Sequence, residues 1–282
     1  MATRLDDAWT QETSGAGTSA YTVGAAADAA ALPARRPLPR AGIRVEPALK
    51  RMLDILVSLM VLLLLAPLMA VVALAIVLES RGPIFYRAER VGRNGRAMRM
   101  FKFRKMREGA GGLRLTTAHD ARLTRVGAIL ARTKLDELPQ FLNVLRGEMS
   151  IIGPRPEDPG FVARREADYR RILQVRPGIS GLSQIAFAEE SQILSQRDPL
   201  AHYLADIFPQ KCALDRMYAA NAGLALDLRI LAWSFVAVLL RRQVAVHRET
   251  ARMGIRRRPV ARAATPADLG ETATPPMLER AA

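Results

Sequence analysis

Two adjacent carboxylates, Asp136 and Glu137, stand at the head of a short apolar stretch that runs on into Gly-Pro-Arg-Pro. A carboxylate can attack phosphorus, as it does in enzymes that form aspartyl phosphates. A second carboxylate can bind Mg²⁺, which neutralises phosphate oxygens, and Arg155 of Gly-Pro-Arg-Pro could grip phosphates with its forked donors. These residue types at this spacing suit phosphoryl transfer.

The same pattern also has a purely structural explanation. Asp136 suits a helix N-cap and Glu137 a first helical turn, where the helix dipole favours acidic side chains. The apolar residues that follow are spaced as one stripe of a helix: Leu138, Phe141, Leu142 and Leu145. Gly147 would end that helix. On these residues alone, a helix start is the simpler interpretation.

The composition indicates which kinds of partner and metal ion the protein could bind. A formal net charge of +15 indicates an anionic partner, which could be nucleic acid, a phosphorylated substrate or an acidic membrane face. The single cysteine excludes an intramolecular disulfide and is typical of a reducing compartment. The three histidines are scattered, so a bound metal would be a hard cation held by carboxylates.

An uncharged apolar run covers residues 55–78. As a helix it would be about 36 Å long, which is enough to cross a bilayer. Pro67 lies near the middle of the run, after Ala66, and removes one helix hydrogen bond. The run predicts insertion into a membrane.

The rest of the chain divides around this run. Residues 82–106 predict a β-hairpin that is rich in Arg and Lys, because Asn94-Gly95 is a strong hairpin-turn signal. Residues 223–240 predict an amphipathic interfacial helix, with a core helix as the alternative. The predicted units are a disordered tail (1–45), a membrane helix (46–80), a catalytic domain (81–245) and a disordered basic, Pro- and Ala-rich tail (246–282).

Several long motifs, in order, resemble the bacterial sugar transferases, also called monotopic phosphoglycosyl transferases. The resemblance covers about residues 48–240 and rests on these stretches: GPIFYRAERVGRNGRAMRMFKFRKM, DARLTRVGAIL, LDELPQFLNVLRGEMSIIGPRPE, RPGISGLSQI and LDRMYAANAGLALDLRIL. It implies transfer of a sugar phosphate from a UDP-sugar to undecaprenyl phosphate, with release of UMP. The product would begin a surface glycan such as an exopolysaccharide, capsule, O-antigen or glycoconjugate.

The resemblance also implies roles for single residues. Asp136 matches the nucleophile, which forms a phospho-sugar-aspartate intermediate, and Glu137 matches the acid that binds Mg²⁺, with Mn²⁺ as the alternative metal. Arg155 matches an arginine near the nucleotide and phosphates. Lys102 and Arg104 match basic residues that border the site.

This sequence departs from the family pattern at two places. The family often has Ser-Pro at the break in its membrane helix, whereas this chain has Ala66-Pro67. Ala131 stands where the family usually has an arginine near the phosphates, and Arg132 or Lys134 is the expected substitute.

The flanks of the apolar run predict its topology. Both are basic, and the positive-inside rule therefore draws both ends toward the cytoplasm. With Pro67 and the resemblance, this predicts a re-entrant helix in a helix-rich, mixed α/β monotopic membrane enzyme at the cytoplasmic face of the inner membrane. Expected partners are a UDP-sugar, undecaprenyl phosphate, the lipid bilayer and downstream glycosyltransferases. A homo-oligomer stays open, and no nucleic acid is expected.

Two other functions compete with this interpretation. A membrane-anchored nucleic-acid-binding or regulatory protein would explain the charge, but no nucleic-acid-binding motif is evident and the acid pair would have no role. A glycosyltransferase on a doubly wound nucleotide-binding fold would require repeated strand–helix units, which the sequence lacks. That enzyme would release UDP, whereas the phosphoglycosyl transferase would release UMP.

Overall fold

The structure is a computed structural model that describes residues 48–112, 115–117, 120–194, 198–238, 240, 242–247 and 251–255. The predicted N-terminal tail (1–45) lies outside the described residues, as does most of the predicted C-terminal tail. Within the described ranges the chain is helix-rich with short strands, so the predicted mixed α/β class is confirmed.

The apolar run forms one long helix, α1 (Ala48–Glu79), with Pro67 inside it. Its most apolar 18-residue window has a mean hydropathy of 3.1, and 11% of that window is buried. By length and composition the helix could cross a membrane, and its exposure distinguishes it from the core helix of a soluble protein. Leu63, Leu64 and Leu78 are among its most exposed side chains.

The next segment forms two antiparallel strands, β1 (Phe85–Val91) and β2 (Ala97–Phe103). The connection is a 3₁₀ turn, Arg93–Gly95, in which Asn94 (φ 59°) and Gly95 (φ 74°) take the left-handed conformation. On β2, Met98 and Met100 point into the core. Lys102 follows them at the two-residue period of a strand and lies on the same face.

The carboxylate pair lies between two helices, α2 (Arg125–Thr133) and α3 (Gln140–Leu145). The predicted N-cap role of Asp136 is wrong: α3 begins at Gln140, and the pair occupies a 3₁₀ turn, Leu135–Glu137. The cause is Lys134, whose left-handed φ of 61° ends α2 and turns the chain sharply before the pair. Gly147, with φ 81°, follows the end of α3 as expected.

The remaining elements form the body around the site. Strands β3 (Ser150–Ile152) and β4 (Gly178–Ser180) are parallel, and α4 (Pro159–Arg164) and α5 (Glu166–Ile172) connect them. A Cβ at Gly178 would lie 2.1 Å from the backbone nitrogen of Gly153, so this close approach requires glycine. Then follow α6 (Leu182–Ala186), α7 (Glu190–Ile193), α8 (Pro199–His202), a π-helical turn (Tyr203–Ile207), α9 (Phe208–Asn221) and α10 (Leu224–Val238).

Ordered structure continues beyond the predicted start of the C-terminal tail at residue 246. Strand β5 (Val244–Val246) pairs antiparallel with β6 (Met253–Ile255). Val244 is buried in the cluster around Leu182, Tyr218 and Ile230, which explains why this hairpin packs on the body. Across the described residues each sheet has only two strands, which is not the arrangement of a doubly wound nucleotide-binding fold.

Candidate active site

The carboxylate pair opens onto a cavity of about 390 Å³ between the hairpin, the 3₁₀ turn and helices α6, α7 and α9. This volume is within the usual range for a small-molecule site. Asp136, Glu137 and Arg155 all line the cavity. Lys102, Lys105 and Lys134 add three further cations to its wall.

Each carboxylate of the pair has its own cationic partner. Lys105 Nζ lies 3.3 Å from Asp136 Oδ2, and only 3% of the Asp136 side chain is exposed. Lys102 Nζ donates to Glu137 Oε1 at 2.8 Å, and Arg155 Nη2 lies 3.5 Å from the same oxygen. Two neighbouring negative charges are therefore stabilised by three positive groups.

These ion pairs set the charge of Glu137. Burial acts to raise the pKa of its carboxyl, but Lys102 and Arg155 outweigh burial and hold the pKa well below its usual range. Burial lowers the pKa of Lys102, and Arg155 and Lys105 lower it further, while Glu137 opposes them. Glu137 is thus an ionised carboxylate at neutral pH.

Local structure explains how Arg155 reaches the pair. It follows β3 and stands between Pro154 and Pro156, whose rings restrict the backbone on both sides. Its guanidinium pairs with Glu137 and also interacts electrostatically with Glu190 and Glu157 on the far wall. Arg155 therefore lies between the carboxylate pair and a second group of polar side chains.

Two residues expected at the site lie elsewhere. Arg104 does not line the cavity: its Nη2 donates to the Ser80 carbonyl at 2.7 Å and its Nη1 donates to the Arg81 carbonyl. It thus binds the chain just after α1, because β2 has ended at Phe103 and strand alternation no longer applies. Arg132 is exposed in the last turn of α2. At the Ala131 departure the cation on the cavity wall is Lys134.

Ala66 and Pro67 belong to a different region from the cavity. Both are exposed in the middle of α1 and do not line the site. The helix continues on both sides of Pro67. Any role of these two residues therefore concerns the placement of the helix and not the chemistry of the cavity.

Sequence reasoning missed a group of side chains on the far wall. Lys211 Nζ lies 2.9 Å from Glu190 Oε2 and 3.0 Å from the Tyr203 hydroxyl. That hydroxyl donates to Glu157 Oε2 at 3.1 Å. The sequence held one signal of this group. Lys211 lies on the same helical stripe as Phe208, a residue type that predicts burial. A lysine on a stripe that faces the core predicts a buried charge with an acidic partner.

The carboxylate pair could also hold a metal ion. Among the described residues there is no group of three or more His, Cys, Asp or Glu side chains that could bind one. Mg²⁺ nevertheless often uses one or two carboxylates and completes its shell with water and substrate phosphates. Both cations on Glu137 contact Oε1, and within the described chain Oε2 accepts no hydrogen bond, so this oxygen fits such a ligand.

The chain is similar in sequence to a known protein family and to several known proteins. Residues 45–241 match the model of the family described as bacterial sugar transferase. The chain is 39% identical over 202 residues to the exopolysaccharide production protein PSS of Rhizobium leguminosarum bv. phaseoli, covering 68% of this chain and 96% of that protein.

Two longer proteins are similar over the same part of the chain. The UDP-N-acetylgalactosamine-undecaprenyl-phosphate N-acetylgalactosaminephosphotransferase of Aeromonas hydrophila is 38% identical over 190 residues, which is 65% of this chain and 42% of that protein. The UDP-glucose:undecaprenyl-phosphate glucose-1-phosphate transferase of Klebsiella pneumoniae is 36% identical over 192 residues, 64% of this chain and 38% of that protein. This chain therefore spans less than half the length of each of these two relatives.

Proposed function

Since the chain belongs to the bacterial sugar transferase family, it is a transferase, and we propose that it moves a sugar-1-phosphate from a UDP-sugar to undecaprenyl phosphate and releases UMP. The observation that carries this proposal is the carboxylate pair at the cavity, held among Lys102, Lys105 and Arg155. Cations beside a carboxylate nucleophile suit a reaction between two anions, because they offset the repulsion between them.

In the first step an Asp136 carboxylate oxygen attacks the β-phosphorus of the UDP-sugar. A new bond forms between that oxygen and phosphorus, and the bond from phosphorus to the bridging oxygen breaks. UMP leaves with the bridging oxygen and its electron pair, so no proton has to move. Arg155 and Lys102 would stabilise the charge that builds up on the phosphate oxygens.

In the second step a phosphate oxygen of undecaprenyl phosphate attacks the phosphorus of the phospho-sugar-aspartate. The bond between phosphorus and the Asp136 oxygen breaks, and the carboxylate is regenerated. The product is an undecaprenyl-diphosphate-sugar. Because the enzyme carries the phospho-sugar between two half-reactions, ping-pong kinetics are expected.

We assign Mg²⁺ to Glu137 as part of this proposal. The Glu137 carboxylate would hold the ion, and Lys102 on Oε1 would keep that carboxylate in place. When bound, the ion supplies positive charge that neutralises the diphosphate oxygens and favours departure of UMP.

The names of relatives suggest the biological setting but not the sugar. The Rhizobium protein is named for exopolysaccharide production, and the two longer relatives are named for different sugars, glucose and N-acetylgalactosamine. We propose that this chain starts a surface polysaccharide and hands its lipid-linked product to glycosyltransferases that extend it.

The membrane arrangement that we propose is re-entrant, with both ends of α1 at the cytoplasmic face. Near the N-terminal end, Lys50 Nζ pairs with Asp227 at 2.6 Å and Arg51 Nη1 donates to the Val144 carbonyl at 2.7 Å. Near the other end, the Glu79 carboxylate accepts from the backbone nitrogens of Arg125 and Val126 at 2.6 and 3.0 Å.

The two ends of α1 thus contact the same domain, while no residue from 59 to 71 is buried. A straight crossing would put its ends on opposite faces of the bilayer, where one domain could not bind both. Pro67, in the exposed middle, supplies a point at which the helix can bend because it removes a backbone donor. The catalytic cavity would then face the cytoplasm, where a soluble UDP-sugar is available.

Cysteine labelling in intact cells tests this arrangement. With Cys212→Ser as the background, a cysteine introduced at Val45 and another at Phe85 should each react only with reagents that reach the cytoplasm. Pro67→Ala should favour a straight span and lower activity. Labelling of the residue-45 cysteine from the periplasm would instead establish a bitopic helix and exclude the re-entrant arrangement.

The proposed reaction is tested by incubating purified protein with undecaprenyl phosphate, Mg²⁺ and a panel of UDP-sugars. We expect UMP, and not UDP, to be released with at least one of them. EDTA should abolish the release and added Mg²⁺ should restore it, since the diphosphate charge would otherwise be neutralised incompletely. Full activity in EDTA would contradict the metal assignment, and UDP release would contradict the reaction itself.

A further inference from the structure

The far wall of the cavity, formed by the side chains around Lys211, differs in chemistry from the side with Asp136 and Glu137, where the phosphates would bind. Glu190, Lys211, Tyr203 and Glu157 form one connected set of side chains, and all four line the cavity. Their spacing is tight: Lys211 contacts Glu190 and the Tyr203 hydroxyl, and that hydroxyl contacts Glu157. Two carboxylates on this wall would repel a phosphate, so the wall should face an uncharged part of the substrate.

Lys211 fixes the positions of its neighbouring side chains and is not a phosphate ligand. Its side chain is 5% exposed, and its ammonium lies 2.9 Å from Glu190, 3.0 Å from the Tyr203 hydroxyl and 3.8 Å from Glu157. The first two contacts are hydrogen bonds and the third is an ion pair, so three neighbouring groups hold the ammonium. The lysine is therefore committed to fixing the carboxylates around it.

The carboxylates of Glu157 and Glu190 differ in how many of their oxygen atoms already accept hydrogen bonds. Glu157 Oε1 accepts from the backbone nitrogen of Asp158 at 3.1 Å, and its Oε2 accepts from Tyr203. Glu190 Oε2 accepts from Lys211, whereas Oε1 accepts no hydrogen bond from any residue that the structure describes. A quarter of the Glu190 side chain is exposed, and the residue lines the cavity.

We propose that the Glu190 carboxylate, braced by Lys211, accepts hydrogen bonds from a vicinal diol of the nucleotide sugar. An ionised carboxylate only accepts hydrogen bonds, and sugar hydroxyls are donors that it binds well, as acidic side chains do with the ribose of bound nucleotides. A nucleotide sugar carries such diols on its ribose and on the transferred sugar. Glu137, Arg155 and Glu190 line the same cavity, which places the diol site and the phosphate site within one pocket.

This inference rests on the proposed function, because it assigns a subsite within the same cavity. The test uses the full-length protein in detergent with Asp136→Asn, so that ligands bind without turnover. Calorimetry then compares the affinities for UMP, for 2′,3′-dideoxy-UMP and for a UDP-sugar that the wild-type protein uses, with and without Glu190→Gln. Glu189→Gln is the matched control, because Glu189 pairs with Gln243 at 2.8 Å and does not line the cavity.

We expect Glu190→Gln to weaken binding of the diol ligand roughly 10- to 100-fold, the usual worth of a hydrogen bond to a charged group. If the ribose is the ligand, UMP and the UDP-sugar both weaken and dideoxy-UMP does not. If the transferred sugar is the ligand, only the UDP-sugar weakens. Glu189→Gln should leave all three affinities unchanged.

Two results would overturn the inference. One is unchanged affinity for both UMP and the UDP-sugar, and the other is equal weakening of UMP and dideoxy-UMP. If Glu190→Gln fails to fold, Glu190→Asp keeps the charge beside Lys211 and withdraws the carboxylate by one methylene, with the same expected pattern. Failure of the proposed function would be seen separately, as a wild-type protein that releases no UMP from any UDP-sugar.

Discussion

Replacing Asp136 with asparagine should lower the rate of UMP release by at least about 1,000-fold, the order of loss seen when a covalent nucleophile is removed. Asparagine keeps the shape of the side chain but has no anionic oxygen that can attack phosphorus. The measurement is initial UMP release with undecaprenyl phosphate and a UDP-sugar present. Because the side chain is buried beside Lys105, thermal unfolding should be recorded in parallel.

Asp168→Asn is the matched control for this substitution. Asp168 also pairs with cations, Arg165 at 2.7 Å and Arg216 at 3.0 Å, but it lies outside the cavity. Its loss should affect stability more than turnover. If Asp136→Asn kept more than a tenth of the wild-type rate, the nucleophile would have to be another group.

Replacing Arg155 with alanine should lower kcat/KM by about 100- to 1,000-fold, as removal of a group that stabilises transition-state charge typically does. The Arg155 guanidinium pairs with Glu137 and also interacts electrostatically with Glu190, so its loss removes charge stabilisation and a contact that fixes Glu137. Arg155→Lys should recover only part of the activity, because an ammonium lacks the forked donors. Steady-state kinetics at varied UDP-sugar concentration measure kcat/KM for both variants.

Arg132→Ala is the control for charge alone. Arg132 is exposed at the end of α2 and does not line the cavity, so its removal should leave kcat/KM close to the wild-type value. Equal losses from Arg132→Ala and Arg155→Ala would show that overall charge matters, and the assigned position of Arg155 would then be wrong.

Several features could be predicted because local chemistry determines them. The uncharged apolar run at 55–78 predicts a long helix, and it forms most of α1. Asn94-Gly95 tolerates positive φ and sits in the turn between two strands. Asp136 and Glu137 are adjacent in sequence, so their proximity needed no knowledge of the fold.

Other features depend on contacts between distant parts of the chain. Glu190 and Lys211 are 21 residues apart and meet only because α7 and α9 pack at the same cavity. Arg104 shares a motif with Lys102, but β2 ends between them. Lys102 therefore contacts Glu137 at the cavity, whereas Arg104 contacts the Ser80 carbonyl. The 3₁₀ turn at Asp136 follows from the left-handed Lys134, a conformation that the type of residue does not predict.

The central claim, a phospho-sugar carried on Asp136, is tested most directly with a UDP-sugar labelled in its β-phosphate and no lipid acceptor. Wild-type protein should release UMP and retain label in equal amounts, up to about one per chain, and should lose the label when undecaprenyl phosphate is added. Asp136→Asn should retain none. Absence of label on wild-type protein, with UMP released only when the lipid acceptor is present, would contradict the account and establish direct transfer.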